Sequence, residues 1–209
     1  MYLFASLLLF MVLTPSLGGD TQGRIVGNLL NMFILVTAVA AIGQSRLSFV
    51  MALLFALPVL GFQFAGLTLG EQQYLVWSWG FGAAFYTATL SYLLRYIFSN
   101  DAMNADKLFG AAAAYLLLGN LWVYFYMIVQ HFHVGSFTLN GTPVAIMPPQ
   151  DLIYFSYTVL TSTGFGDISP ALPHARSLVN LEQICGILFV AILIARLAGI
   201  YPQSEESSH

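Results

Sequence analysis

Thr161-Ser162-Thr163-Gly164-Phe165-Gly166-Asp167 separates an apolar segment too short to cross a bilayer from one long enough to do so. Gly164 and Gly166 permit backbone angles that a residue with a Cβ would resist. Hydroxyl side chains precede them and a carboxylate follows. Upstream, Pro148 and Pro149 mark a helix start, and Gln150 to Leu160 is apolar and aromatic yet only about a dozen residues, against the ~20 that a span needs. Downstream, beyond Arg176, an apolar run extends from Ser177 to Ile200. Non-helical backbone at membrane depth is tolerated only when it is buried in protein or lines a cavity. The plainer alternative is a Gly-rich turn joining two helices, with Asp167 and Pro170 as ordinary turn residues.

The surrounding composition favours a membrane. The chain is 58% hydrophobic and 7% charged, which excludes an ordinary soluble domain. A net charge of −3 with no basic cluster gives no reason to expect a nucleic-acid partner. The single cysteine, Cys185, cannot form an intrachain disulfide and is expected to be a small buried packing residue. No nucleophile constellation, phosphate-binding loop or carboxylate pair is present, so the chain does not read as an enzyme.

In order, the runs are Tyr2 to Leu17, Ile25 to Ile42, Leu47 to Gly66, Tyr74 to Phe98, Leu108 to Val129 and Ser177 to Ile200. The first reads as a retained helix or a secretory signal peptide; no Lys or Arg precedes it, which favours the helix. Asn28 and Asn31 share a face of the second run and are expected to bond between helices. Gly43 to Arg46 is a short link, Pro58 is a kink candidate in the third run, and a polar loop passes through Glu71. Trp77 and Trp79 suit an interface. Gly110 and Ala111 to Ala114 are small enough for close helix approach. Gln130 to Met147 reads as a non-periodic loop with a turn at Asn140-Gly141. The expected fold class is an all-α membrane protein: six transmembrane helices with a re-entrant pore helix and filter between the fifth and sixth. It divides into a four-helix domain at 1–98, a cytoplasmic linker at 99–107, a pore domain at 108–201 and a polar tail at 202–209.

The segment from Thr161 to Asp167 resembles the selectivity filter of tetrameric potassium channels, and the resemblance covers roughly Leu108 to Ile200. It implies rings of backbone carbonyls that replace the water around an ion, with K+ held at Ser162, Thr163, Gly164 and Phe165. Ser162 adds a hydroxyl ring at the cavity end, and Asp167 a carboxylate at the outer mouth. Tyr154 and Phe155 match the family's paired aromatics beside the filter, and Asp167-Ile168-Ser169-Pro170 matches its exit. Arg176 and Gly186 fall where relatives carry an outer-mouth Arg and a hinge Gly; Ile187, Val190 and Ile194 fall on the cavity wall. One filter per chain implies a homotetramer. Ser162, Thr163 and Phe165 depart from the commonest pattern, which puts strict potassium selectivity, not conduction, in question. The Thr163 hydroxyl needs a partner behind the filter.

Charges refine the expectation. Glu182 in the last run either sits behind the filter and accepts from Thr158, Thr161 or Thr163, or lies shallow and pairs with Arg176 or an Arg of a neighbouring subunit. The fourth run carries only Arg95, so no voltage-sensing ladder exists. Arg46, Arg95, Lys107 and Arg196 fall on one side and Arg24 and Arg176 on the other, which sets both termini in the cytoplasm of a multi-pass plasma (inner) membrane protein. His131 and His133 read as solvated loop histidines rather than a metal site. The expected function is voltage-independent, potassium-selective conduction, with K+ as the permeant ion, lipid as surroundings and no soluble ligand domain. The alternatives are a non-selective cation channel, or a transporter or assembly subunit whose filter-like turn is structural.

Overall fold

The computed structural model describes residues 2–14, 21–42, 46–69, 72–99 and 104–198. The links at Gly43 to Ser45 and at Glu71, residues 100–103 of the 99–107 linker, and the tail at 202–209 lie outside the described residues, as does the side chain of Asn28. Four helices come first: α1 (Tyr2–Leu13), α2 (Thr21–Ile42), α3 (Arg46–Leu69) and α4 (Gln72–Ile97). Then follow α5 (Ala105–Phe132), strands β1 (Phe137–Leu139) and β2 (Thr142–Val144), α6 (Pro149–Leu160), β3 (Ile168–Pro170) and α7 (Pro173–Ala198).

The apolar runs become helices because each is long, poor in breakers and able to satisfy its own backbone groups. Among the described residues, α5 and α7 are long and apolar enough to cross a bilayer. The protein is therefore mostly helical, with two candidate membrane-spanning helices of the six expected. α3 runs unbroken through Pro58. Asn104 caps α5, its side chain accepting from the Lys107 amide. α5 is the central element, buried along most of its length, whereas α7 is largely unpacked in the single chain. Ala111, Ala113 and Ala114 are buried, which bears out close packing at that end of α5. Asn31 bonds to Tyr86 and Tyr124 at 3.1 Å each, so its amide does join α2 to α4 and α5.

Two expectations need correction. The fold is not purely helical, because the segment read as a loop holds a small antiparallel sheet in the order β2-β1-β3. Asn140 and Gly141 both have positive φ, as a tight hairpin turn with the twist of its strands requires. Phe137 pairs with Val144 on one side and Pro170 on the other. Three-residue strands are too short to show a period-two pattern, so the sequence reads as irregular. Cys185 is exposed, not buried, because it lies on the unpacked surface of α7.

Candidate functional site

α6 begins at Pro149, where proline's fixed φ suits a first helical residue, and ends at Leu160. The last four carbonyls of a helix have no partner within it. Here each finds one, and the segment that follows supplies most of them. The Tyr157 carbonyl accepts from the Thr161 amide at 3.1 Å, and that of Val159 from Ser162 at 2.9 Å. The Thr158 carbonyl accepts from both Thr163 at 2.8 Å and Gly164 at 3.1 Å. The Leu160 carbonyl accepts from the Tyr115 hydroxyl of α5 at 3.1 Å. The chain from Thr161 to Gly164 is thus tied to the helix end instead of wandering from it.

Beyond that tie the backbone alternates. φ is +57° at Ser162, +55° at Gly164 and +83° at Gly166, while the residues between them are not in the positive region. The two glycines adopt it freely, and nothing lies within 4 Å of where a Cβ would stand at either. Ser162 adopts it against its preference, which sequence reasoning did not anticipate. Thr161 to Gly166 are exposed in the single chain, and the Phe165 ring is 70% exposed. The Thr163 hydroxyl has its partner: it meets that of Thr161 at 2.8 Å, and Thr161 in turn bonds the Tyr157 carbonyl at 2.7 Å. The Asp167 carbonyl accepts from the Asn140 amide at 2.7 Å, and Ile168 opens β3, so the far end of the segment is sewn into the sheet.

The flanking residues divide between the two sides of the segment. Tyr154 stacks on Phe165, with centroids 6.2 Å apart and rings nearly parallel. Phe155 is buried against Tyr126 and Phe137 on the other side of α6. Thr158 turns its hydroxyl to the Phe155 carbonyl at 2.8 Å. The Arg176 side chain donates to the Pro170 carbonyl at 3.3 Å. Asp151, in the first turn of α6, has its carboxyl raised above the usual range by burial and then by the nearby Asp167 carboxylate.

Within one chain Glu182 bonds neither to the threonines nor to Arg176. It is fully buried, and its partners are Ser156 of α6 at 2.5 Å and the Tyr126 hydroxyl of α5. The threonines are already bonded to the helix end and to each other, which explains why none reaches it. Arg176 is engaged with Pro170, so it forms no pair with Glu182. Gly186 is a contact point: a Cβ there would stand 3.0 Å from the Leu160 carbonyl carbon and 3.1 Å from its Cδ1. Ile187, Val190 and Ile194 are exposed along the unpacked face of α7. His131 is half-buried in the last turn of α5, edge-on to Trp79, and only His133 is loop-like, stacked on His174 at 4.2 Å. Among the described residues no group of three His, Cys, Asp or Glu could hold a metal.

Sequence reasoning missed Tyr115, Tyr126 and Ser156, along with Asn120, which donates to the Tyr157 hydroxyl at 2.9 Å. Their signal was present as polar atoms inside apolar runs, each of which requires a partner. Neither a curated protein nor a solved structure matches the chain. Residues 111–201 match the family model described as ion channel. That span takes in most of α5, the short helix α6, the alternating segment and α7, so that two membrane-length helices flank a short helix and its non-helical exit. Over these residues the chain is similar to the ion channel family, in the two-helix pore form found in potassium channels.

Proposed function

We propose that the protein is one subunit of a homotetrameric, voltage-independent cation channel selective for potassium. The observation that carries this reading is the segment from Ser162 to Gly166: backbone of alternating φ sign hung from the end of a short helix, between two membrane-length helices. Four such segments around one axis bring the carbonyls of Ser162, Thr163, Gly164 and Phe165 into rings that replace the hydration shell of K+. The unpacked face of α7 supports assembly, since its large apolar residues, Leu181, Ile184 and Leu188 among them, have no cover within one chain. Asp167 concentrates cations at the outer mouth, and Ile187, Val190 and Ile194 line the cavity. α1 to α4 form a four-helix domain packed on α5 beside each pore quarter, in the plasma (inner) membrane with both termini cytoplasmic. Arg95, in the last turn of α4, is the one basic residue that α4 carries, so membrane potential has little purchase there.

A poorly selective cation pore is the second reading, and Phe165 favours it. Its ring packs on Tyr154 by stacking alone and carries no hydroxyl to anchor the segment outward. Purified protein in liposomes with an outward potassium gradient tests both. Barium-blocked flux of potassium over sodium supports the first reading, and equal flux of the two ions the second. No flux would leave a transporter or assembly subunit.

A further inference from the structure

Three hydrogen bonds meet around Glu182, and they require more protons than its neighbours possess. The Ser156 hydroxyl oxygen lies 2.8 Å from the Gly119 carbonyl and 2.5 Å from Glu182 Oε1. The Tyr126 hydroxyl bonds to Glu182 Oε2. A carbonyl only accepts, and Ser and Tyr hydroxyls carry one proton each. Tyr126 spends its proton on Oε2 and Ser156 on Gly119. The contact between Ser156 and Oε1 then lacks a proton unless Glu182 supplies it. If Ser156 donated to Glu182 instead, its lone pairs would face those of the Gly119 carbonyl at 2.8 Å inside the protein.

We propose that Glu182 is held as a neutral carboxylic acid that donates to Ser156, and that this proton positions α6 for conduction. The surroundings agree. Glu182 is fully buried, and the titratable groups facing it are tyrosines: Tyr115 and Tyr126 on α5 and Tyr157 on α6. Both of its hydrogen-bond partners are hydroxyls, and among the described residues of the chain no cation compensates a charge there; an uncompensated buried carboxylate is strongly disfavoured. Glu182 is a positioning residue. It joins α7 to α5 through Tyr126 and to α6 through Ser156, two residues before Thr158, whose carbonyl holds the amides of Thr163 and Gly164. Removing the proton forces Ser156 to release either Gly119 or Glu182, and α6 loses one of its two ties at that point. Conduction is therefore present while the acid is neutral and is lost as pH rises through its ionisation.

The assignment of the proton stands by itself, and its effect on conduction rests on the channel reading above. Infrared spectra of the reconstituted protein test the first part. A protonated-carboxyl band at neutral pH that is absent in Glu182→Gln supports it, and no such difference overturns it. Potassium flux against pH tests the second. Flux in the natural protein should fall on the alkaline side, with a limiting slope of about tenfold per pH unit for one proton. Glu182→Gln, an isostere of the neutral acid, should conduct without that fall. A flat profile in the natural protein, or the same fall in Glu182→Gln, overturns the conduction claim. An acid band in a protein with no flux at any pH would overturn the channel reading and leave the proton in place.

Discussion

Replacing Gly186 with Ala sets a methyl group 3.0 Å from the Leu160 carbonyl carbon and 3.1 Å from Leu160 Cδ1, and closer still to the carbonyl oxygen. The obstacle is backbone, not the tip of a flexible side chain. Leu160 closes α6, and its carbonyl is held by the Tyr115 hydroxyl, so either α7 moves outward or that bond breaks. Overpacking of this kind costs roughly 1–3 kcal/mol, and losing the hydrogen bond adds about 0.5–1.5 kcal/mol. The better helix propensity of Ala returns about 1 kcal/mol, leaving a net loss of roughly 0.5–3.5 kcal/mol. Thermal unfolding of the reconstituted protein reads the stability, and barium-sensitive flux reads the pore. Gly61→Ala and Gly80→Ala are the controls, because a Cβ at either meets nothing within 4 Å. Both should match the natural protein or exceed it by up to ~1 kcal/mol. A Gly186→Ala protein as stable as these controls would refute the close approach of α7 to α6. Altered flux at unchanged stability would instead restore the hinge role that the sequence resemblance implies.

Asn31→Ala removes the amide that joins Tyr86 to Tyr124, and since interhelical bonds in membranes average about 0.6 kcal/mol and reach ~1.7, a loss of about 1–2 kcal/mol is expected in the same unfolding assay. Asp151 binds its proton more readily when folded than when unfolded, because burial and Asp167 raise it. Stability should therefore decline as pH rises from the unfolded carboxyl value through the folded one, and an acid-range melting series should show this slope flattened in Asp151→Asn. In planar bilayers with symmetrical potassium, the current should be close to linear in voltage. A channel that moves 3–4 charges per subunit, each worth about 2.3 kcal/mol per 100 mV, would open steeply, and such an opening would contradict the reading of α4.

The sequence states most clearly what is local and long. The apolar runs foretell the helices, and the ends move by a few residues: α5 continues past Val129 to Phe132. The Gly164 and Gly166 spacing announces a special backbone, since positive φ has few other hosts. What stayed hidden depends on pairs far apart in the chain. Gln130 clasps the Met147 backbone with both ends of its amide, at 3.0 and 2.8 Å, seventeen residues away. The β1–β3 pairing likewise joins residues about thirty apart. Glu182 was legible as an acid requiring partners, but its depth was not, and three threonines and an arginine in the sequence were equally eligible. Only the geometry shows the threonines occupied and Ser156 and Tyr126 available. Cys185 was misjudged because the tendency of cysteine to be buried concerns a packed surface, and α7 packs few of its residues within one chain.

The central claim is that four segments from Ser162 to Phe165 close around an ion. A single-particle reconstruction of the protein in lipid, with potassium present, tests it most directly. Four chains about one axis, with those carbonyls lining a continuous column of ion density, is the predicted result. Monomers or dimers in which the same oxygens face away from any path across the bilayer would contradict it.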